Sequence, residues 1–234
     1  MATGTNSRAS VMVNGTSYAD SISNTAKHVT INSGAGNDTI VNAGLRCSIN
    51  AGDGNDFVAN NNRTYATIDT GAGNDTVKNG YKGSYGYGAS ALINTGIGND
   101  SIYNFSTGVT IKAGAGNDWI ENWSYYSVIN AGTGDDTIAM LNTSLHDNLI
   151  IYRVGDGNDR ISNLGINNTI AIADSTYSTA TSNSDMIITV GKGKITLVGG
   201  ANRRPQIVGP YATINGGSST PHDKRRQYFD DKFK

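Results

Sequence analysis

The chain is short of several residue types, and each shortage excludes something. Its only cysteine is Cys47, so no disulfide can form within it. Its three prolines, Pro205, Pro210 and Pro221, all fall near the C-terminal end. Glutamate occurs once, as Glu121, although aspartate is abundant. A general solvated surface would draw on both acids, so this bias points to short carboxylates held at fixed backbone positions. Charge of one sign is lacking too. Eighteen basic and 19 acidic residues leave a net charge of −1, which argues against a nucleic-acid partner or a membrane-surface partner. No apolar run approaches the roughly 20 residues of a membrane-spanning helix, so membrane insertion is not expected. The opening "MATGTNSRAS" has no apolar core of a signal peptide, so export would need another route. The three histidines, His28, His146 and His222, are scattered, and no nucleophile–base set or catalytic carboxylate pair stands out.

Glycine is plentiful, at 30 of 234 residues, and much of it lies in a repeat. "GAGNDTI" at 34 returns as "GDGNDFV" at 52, "GAGNDTV" at 71, "GIGNDSI" at 96, "GAGNDWI" at 114, "GTGDDTI" at 132 and "GDGNDRI" at 155. The steps between Asp38, Asp56, Asp75, Asp100, Asp118, Asp136 and Asp159 are 18, 19, 25, 18, 18 and 23. Asp20, in the degenerate "TSYADSI", lies 18 before Asp38 and opens the series. Apolar residues keep register with these aspartates. Two positions after stand Ile22, Ile40, Val58, Val77, Ile102, Ile120, Ile138 and Ile161. Seven before stand Val13, Ile31, Ile49, Ile68, Ile93, Ile111, Ile129 and Tyr152. Four after, asparagine recurs from Asn24 to Asn163, broken only by Met140.

All these offsets alternate, so each unit of about 18 residues holds two short strands and two turns. That is one coil of a β-solenoid, whose coils stack as parallel strands roughly 4.8 Å apart. The fold class expected is all-β, a parallel β-solenoid of about eight coils over 1–164. The asparagines are expected to turn inward at a corner, and Cys47 to fill a small core position. After 165 the register fades. "DMIITVGKGKITLVGG" (185–200) reads as a hairpin, so 165–200 is expected to be a C-terminal β cap. Residues 201–234 form a tail in which "YATINGG" (211–217) nearly repeats "YATIDTG" (65–71).

Stacking the coils also stacks the aspartates. Carboxylates about 5 Å apart repel by roughly 3 kcal/mol per pair at an effective dielectric near 20. A cation between coils reverses that sign. A set of carboxylates and backbone carbonyls suits Ca²⁺. The ligand set expected is the seven aspartates from Asp38 to Asp159 with the glycine pairs Gly34/Gly36, Gly52/Gly54, Gly71/Gly73, Gly96/Gly98, Gly114/Gly116, Gly132/Gly134 and Gly155/Gly157, whose backbone freedom aims carbonyls at the ion. A metal-free Asx-turn is the local alternative for any single copy. Seven copies in register, with glutamate nearly excluded from the chain, favour the ion. The residue before each aspartate is expected to shape the turn, and Asp53 and Asp156 to face solvent.

These motifs resemble the RTX, or haemolysin-type, calcium-binding repeat GGxGxDxUx, over roughly residues 15 to 165. The first glycine is replaced by Ser33, Ala51, Thr70, Thr95, Ala113, Ala131 or Val154, and the motif comes once per coil rather than in nine-residue tandem. The resemblance implies several Ca²⁺ ions along one edge, as in the calcium-stabilised solenoids of giant bacterial adhesins. It also implies an extracellular or cell-surface bacterial protein, exported without an N-terminal signal and folded outside by calcium.

Opposite that edge the loops vary and aromatics gather. Tyr81, Tyr85, Tyr87, Tyr103, Trp119, Trp123, Tyr125 and Tyr126 form a candidate surface for a glycan or a cell-surface protein, or they pack on one another. Val11 and Val13 at the front, with Tyr211 and Ile214 in the tail, are candidate contacts for head-to-tail assembly into a filament. The function expected is that of a non-catalytic, secreted structural or adhesive protein. The alternatives are a calcium-binding accessory module of a polysaccharide-active enzyme, or an ice-binding module. Ice binding is disfavoured because the residues between the glycines (Ala, Asp, Ala, Ile, Ala, Thr, Asp) make no threonine row.

Overall fold

The computed structural model describes residues 3–61, 65–81, 90–141, 147–165, 167–173, 176–202 and 205–209. Two long sheets face each other and share one thin core. The first runs through Thr3–Asn6, Ser21–Asn24, Thr39–Asn42, Phe57–Asn60, Thr76–Asn79, Ser101–Asn104, Trp119–Asn122, Thr137–Met140 and Asn158–Ser162. The second runs through Met12–Thr16, Thr30–Ala35, Ser48–Asp53, Thr67–Ala72, Leu92–Ile97, Thr110–Ala115, Val128–Thr133, Leu149–Tyr152, Thr169–Ile172 and Gln206–Val208. Within each run all neighbours are parallel, and the chain alternates between the sheets. It is a parallel β-solenoid of about eight coils.

The alternation seen in the sequence is the reason for this fold. Ile40, Val58, Val77, Ile102, Ile120 and Ile138 pair across successive strands and are at most 1% exposed. Ile31, Ile49, Ile68, Ile93, Ile111 and Ile129 do the same from the other sheet. Burying each such side chain stabilises the fold by roughly 1.5–3 kcal/mol. Cys47 is buried in this core, 3% exposed. Among the described residues no helix is long and apolar enough to cross a membrane.

Three details depart from the sequence reading. Residues 3–6 already form a first-sheet strand, with Asn6 in register with Asn24 and Gly4 at the isoleucine position. The isoleucine row continues through Ile150, not Tyr152, because Ile129 pairs with Ile150 and Tyr152 stands one inward step further along the strand. The last coil therefore holds two extra residues between its inward isoleucine and Asp159. The asparagine ladder also leaves its expected column. Asn163 is exposed with φ +57°, while Asn122 bonds to Asn148, and Asn148 to Asn168, across the corner.

The parallel stack runs past residue 164, since Thr169–Ile172 pairs with Leu149–Tyr152 and Gln206–Val208 pairs with Thr169–Ile172. Asp185–Val190 and Gly193–Leu197 form the antiparallel hairpin read from the sequence, and Tyr177–Ser182 adds an outer strand to it. Gly193–Leu197 then lies parallel on Asn158–Ser162, which joins the hairpin to the end of the first sheet. The tail from 210, with Tyr211 and Ile214, lies outside the described residues.

Candidate metal column

Each GxGND segment forms the turn from a second-sheet strand to a first-sheet strand. Its two glycines stack on those of the coil below. Gly34, Gly52 and Gly71 pair in register, as do Gly96, Gly114 and Gly132. A Cβ on Gly98, where φ is +139°, would lie 1.9 Å from Gly73 O. Side chains are thus excluded from both glycine columns by space as well as by backbone angle.

The second glycines, whose carbonyls are expected to face an ion, are also close contacts of the stack. A Cβ on Gly54, Gly73 or Gly134 would meet the oxygen of Gly36, Gly54 or Gly116 at 2.3, 2.0 and 2.0 Å. The N–H groups of Gly36, Gly54 and Gly116 donate to Asp53 O, Ala72 O and Thr133 O of the next coil, at 2.7, 2.8 and 2.8 Å. Gly36 itself rests on Tyr18 and Ala19 rather than on a glycine, because the first coil has none there. These glycines are first of all the points where two coils touch. Gly157 departs further, because its carbonyl accepts from the Tyr152 hydroxyl and from the Lys194 N–H.

The first position of the family motif points inward in every copy but the last, where Val154 is exposed, and small residues fill it. Ser33, Thr70 and Thr95 donate their hydroxyls to the carbonyls of Ala51, Thr95 and Ala113 at 2.9, 3.1 and 2.9 Å. This is a physical reason for the missing first glycine.

Two ladders of opposite sense staple the turns. The backbone N–H of Asp38 donates to Asp56 Oδ1 (2.7 Å), that of Asp56 to Asp75 (2.8 Å), of Asp75 to Asp100 (2.7 Å), of Asp100 to Asp118 (2.8 Å), of Asp118 to Asp136 (2.8 Å) and of Asp136 to Asp159 (3.1 Å). Each aspartate thus reaches back one coil. The residue before it reaches forward: Asn55 N–H donates to Asn37 Oδ1, Asn74 to Asn55, Asn99 to Asn74 and Asn117 to Asn99. These exposed asparagines spend their carbonyl oxygens on turn backbone.

The aspartates are buried, and Asp38, Asp56, Asp75, Asp100, Asp118 and Asp136 each leave Oδ2 with no hydrogen-bond partner. The Thr70 and Thr95 hydroxyls lie close enough to ease the burden on Asp75 and Asp100, but both donate to carbonyls of the next coil. Burial pushes the carboxyl pKa up to about 7 for Asp56 and Asp118, about 6 for Asp100 and Asp136, and about 8 for Asp159. It raises Asp75 too. Neighbouring aspartates add to the rise at Asp56, Asp118 and Asp159, and the backbone N–H each carboxylate accepts opposes it. A column of orphaned carboxylate oxygens is a place for cations. Among the described residues no three His, Cys, Asp or Glu side chains converge, so the remaining ligands of any ion would be backbone carbonyls or water. Such an all-oxygen donor set fits Ca²⁺.

The column changes at both ends. Asp20 donates its N–H to Asp38 Oδ1 like its successors, but its own carboxylate accepts from Thr16. At the far end Gly155 is off the glycine column, with nothing within 4 Å of an added Cβ, while Gly157 stacks on Gly134. The two extra residues of this coil bring Asp156, expected at the surface, to 6% exposure, where it accepts from the Arg153 N–H at 2.7 Å. Tyr152 is displaced by the same slip, which brings its hydroxyl to Gly157 O. Nothing in the seven-letter motif signals this change, and step length does not either, since the longer step from Asp75 to Asp100 keeps Ile93 in register with Ile68.

The aromatic candidates divide into groups. Trp119 and Trp123 donate their indole N–H groups to the two oxygens of Glu121, at 3.2 and 3.3 Å. Phe105 stacks on Trp123 at 6.0 Å between ring centres. Tyr103 lies beside them on the outer face, with the Lys78 ammonium 5.8 Å from its ring centre. Tyr125 and Tyr126 meet edge to face at 5.4 Å. Tyr81 is exposed, and Tyr85 and Tyr87 lie outside the described residues. Val11 and Val13 pack, partly buried, against the core. His28 sits at a corner with φ +57°, as do Arg46 (+54°) and Tyr126 (+62°) at the equivalent place in other coils.

No curated protein matches the chain. Among solved structures, the extracellular lipase LipA from Serratia marcescens matches with a TM-score of 0.37 and 12% identity, over 87% of this chain and 40% of the lipase. The chain thus spans less than half the length of that enzyme. The family model of the RTX calcium-binding nonapeptide repeat matches in four copies, over residues 14–44, 67–78 and 110–121. These matches fall on the glycine and aspartate columns, and the chain carries RTX calcium-binding repeats built into a parallel β-solenoid.

Proposed function

We propose that the chain is a non-catalytic structural solenoid that folds around calcium outside the cell. The observation that carries this reading is the row of six buried Oδ2 atoms without partners. An isolated buried carboxylate is too costly to keep charged, so each must be neutralised by a proton or a cation. Asp38, Asp56, Asp75, Asp100, Asp118, Asp136 and Asp159 would hold the ions together with backbone carbonyls of the turns. Bound Ca²⁺ supplies charge compensation and ties one coil to the next. Binding free energy then becomes folding free energy. The test is far-UV circular dichroism in excess chelator at pH 7.5, followed by a Ca²⁺ titration. The expected result is loss of the β signal and its cooperative return. A chain that stays folded in chelator and gains no stability from Ca²⁺ sinks the reading.

The Glu121 clamp favours a second, compatible role as an adhesive surface. The chain's only glutamate fixes two indoles in orientation, and Trp119 remains 42% exposed. A fixed aromatic plane beside polar groups suits the face of a sugar ring. Binding to a glycan array that is lost in both Trp119→Ala and Glu121→Ala supports this role. Unchanged binding in both, or no binding by the parent, removes it.

End-to-end assembly is the third element of the proposal. Thr3–Asn6 and Met12–Thr16 are the outermost strands at one end of the two sheets, and edge strands template pairing with a further chain. Sedimentation with Ca²⁺ should show species growing with concentration, and a monodisperse monomer at high concentration ends the idea.

A further inference from the structure

The aspartate column is not open at its ends, and the residues that close it differ from those that build it. In the first coil the residue in register with Gly34 is Thr16. Its N–H donates to Asp20 Oδ2 at 2.5 Å, and its hydroxyl lies 3.1 and 3.0 Å from Oδ1 and Oδ2 of the same carboxylate. The preceding residue is Gly15, where a Cβ would lie 2.5 Å from Asp20 Oδ2. This coil has its glycine one place early. The gap receives the carboxylate, and the threonine that follows supplies donors in place of a cation. At the other end, Gly193–Leu197 stacks on Asn158–Ser162 with Ile195 in register with Asp159. Ile195 is fully buried. The next place in the column is therefore apolar.

We infer that Thr16 and Ile195 are terminators of the calcium column, and that the column between them takes six ions, one for each orphaned oxygen of Asp38, Asp56, Asp75, Asp100, Asp118 and Asp136. The inference rests on the calcium reading above and assigns its limits. The Asp20 carboxylate belongs to a metal-free coil in which the Thr16 N–H and hydroxyl already serve it. The first coil is a cap made from a repeat by moving one glycine, and the hairpin is a cap that replaces aspartate by isoleucine.

Native mass spectrometry of the full chain, equilibrated with Ca²⁺ and desalted stepwise, counts the ions. Six are expected. Any other stable count overturns the assignment of one ion per orphaned oxygen, whereas no retained calcium at all sinks the calcium reading itself. Asp20→Asn should still bind six, and a drop to five places Asp20 in the column and overturns the role of Thr16. Thr16→Gly restores a glycine at the column position and should raise the count to seven; a folded variant that stays at six also overturns that role. Ile195→Asp should lower the hairpin's stability in chelator and recover it with Ca²⁺ as a further ion enters. An unchanged count in that folded variant overturns the part assigned to Ile195.

Discussion

The backbone N–H of Asp100 donates to Asp118 Oδ1 at 2.8 Å, while Asp118 Oδ2 is buried and has no partner. One carboxylate thus has one oxygen committed to holding two coils together and another left for an ion. Asp118→Asn keeps an acceptor for Asp100 and removes the buried charge. In chelator this variant should be more stable than the parent, by about 1–3 kcal/mol. In Ca²⁺ it should be less stable, because an ion is lost. Urea midpoints under the two conditions check the reversal of sign. Asp20→Asn should show no such reversal, since Thr16 already serves its carboxylate.

The pH dependence follows from the same burial. Asp56, Asp100, Asp118, Asp136 and Asp159 have carboxyl pKa values raised to between about 6 and about 8, against about 3.9 in an unfolded chain. Between those limits the folded state binds more protons than the unfolded chain, so unfolding free energy falls as pH rises. The contribution of these groups to the calcium-free protein is complete below about pH 4 and is lost as pH climbs through about 6 to 8. With calcium the order should invert, because protons compete with the ion. Thermal melts at pH 5 and pH 7.5, with and without chelator, decide it.

The asparagine column predicts a loss that calcium does not rescue. Asn104 donates to Asn122 Oδ1 (2.8 Å) and Ser106 O (3.0 Å), and accepts from Asn79 Nδ2 (3.0 Å) and Ser106 N (3.2 Å). Asn104→Ala leaves several buried groups unpaired and should cost about 2–4 kcal/mol with or without calcium. Asn163→Ala, at an exposed site with φ +57°, should cost only the backbone strain of about 1 kcal/mol.

Two glycines with the same motif position in sequence should answer differently to substitution. Gly96→Ala places a Cβ 2.0 Å from Gly71 O, whereas Gly155→Ala meets nothing within 4 Å. The first should prevent close stacking and cost more than about 4 kcal/mol. The second carries only backbone strain, at about 1–2 kcal/mol. Chemical denaturation in saturating Ca²⁺ separates them.

The regular part of this protein was legible because stacking turns a fixed spacing into a shared direction. Ile40 and Val58 each stand two after an aspartate, and their strands place both inward at one level. The aspartate and glycine columns were legible for the same reason, although the contact of each second glycine with the coil below was not, since it depends on how one coil sits on the next. Where the spacing changes, the sequence alone cannot say where the extra residues go. Counting back from Asp159 by the usual offset puts Tyr152 in the isoleucine row. Pairing places the added residues after the strand instead, because Ile150 fits the Ile129 level and the asparagines Asn148 and Asn168 can then replace the missing amide at Met140. The closing role of Thr16 was hidden because it depends on a backbone donor, and the strand at Thr3–Asn6 because Gly4 stands where the pattern has isoleucine.

The slip at Ile150 shows how this array handles error. Two added residues displace Gly155, yet Gly157 is back on its column and Asp159 again accepts from Asp136. Each coil is tied only to its neighbours, so a length change is absorbed inside one coil and the next starts in phase. Like a zip with one wide tooth, the chain closes on either side of the fault. Whole coils are therefore the natural unit of gain and loss for this protein, and its length is free to vary in steps of about 18 residues between its two ends.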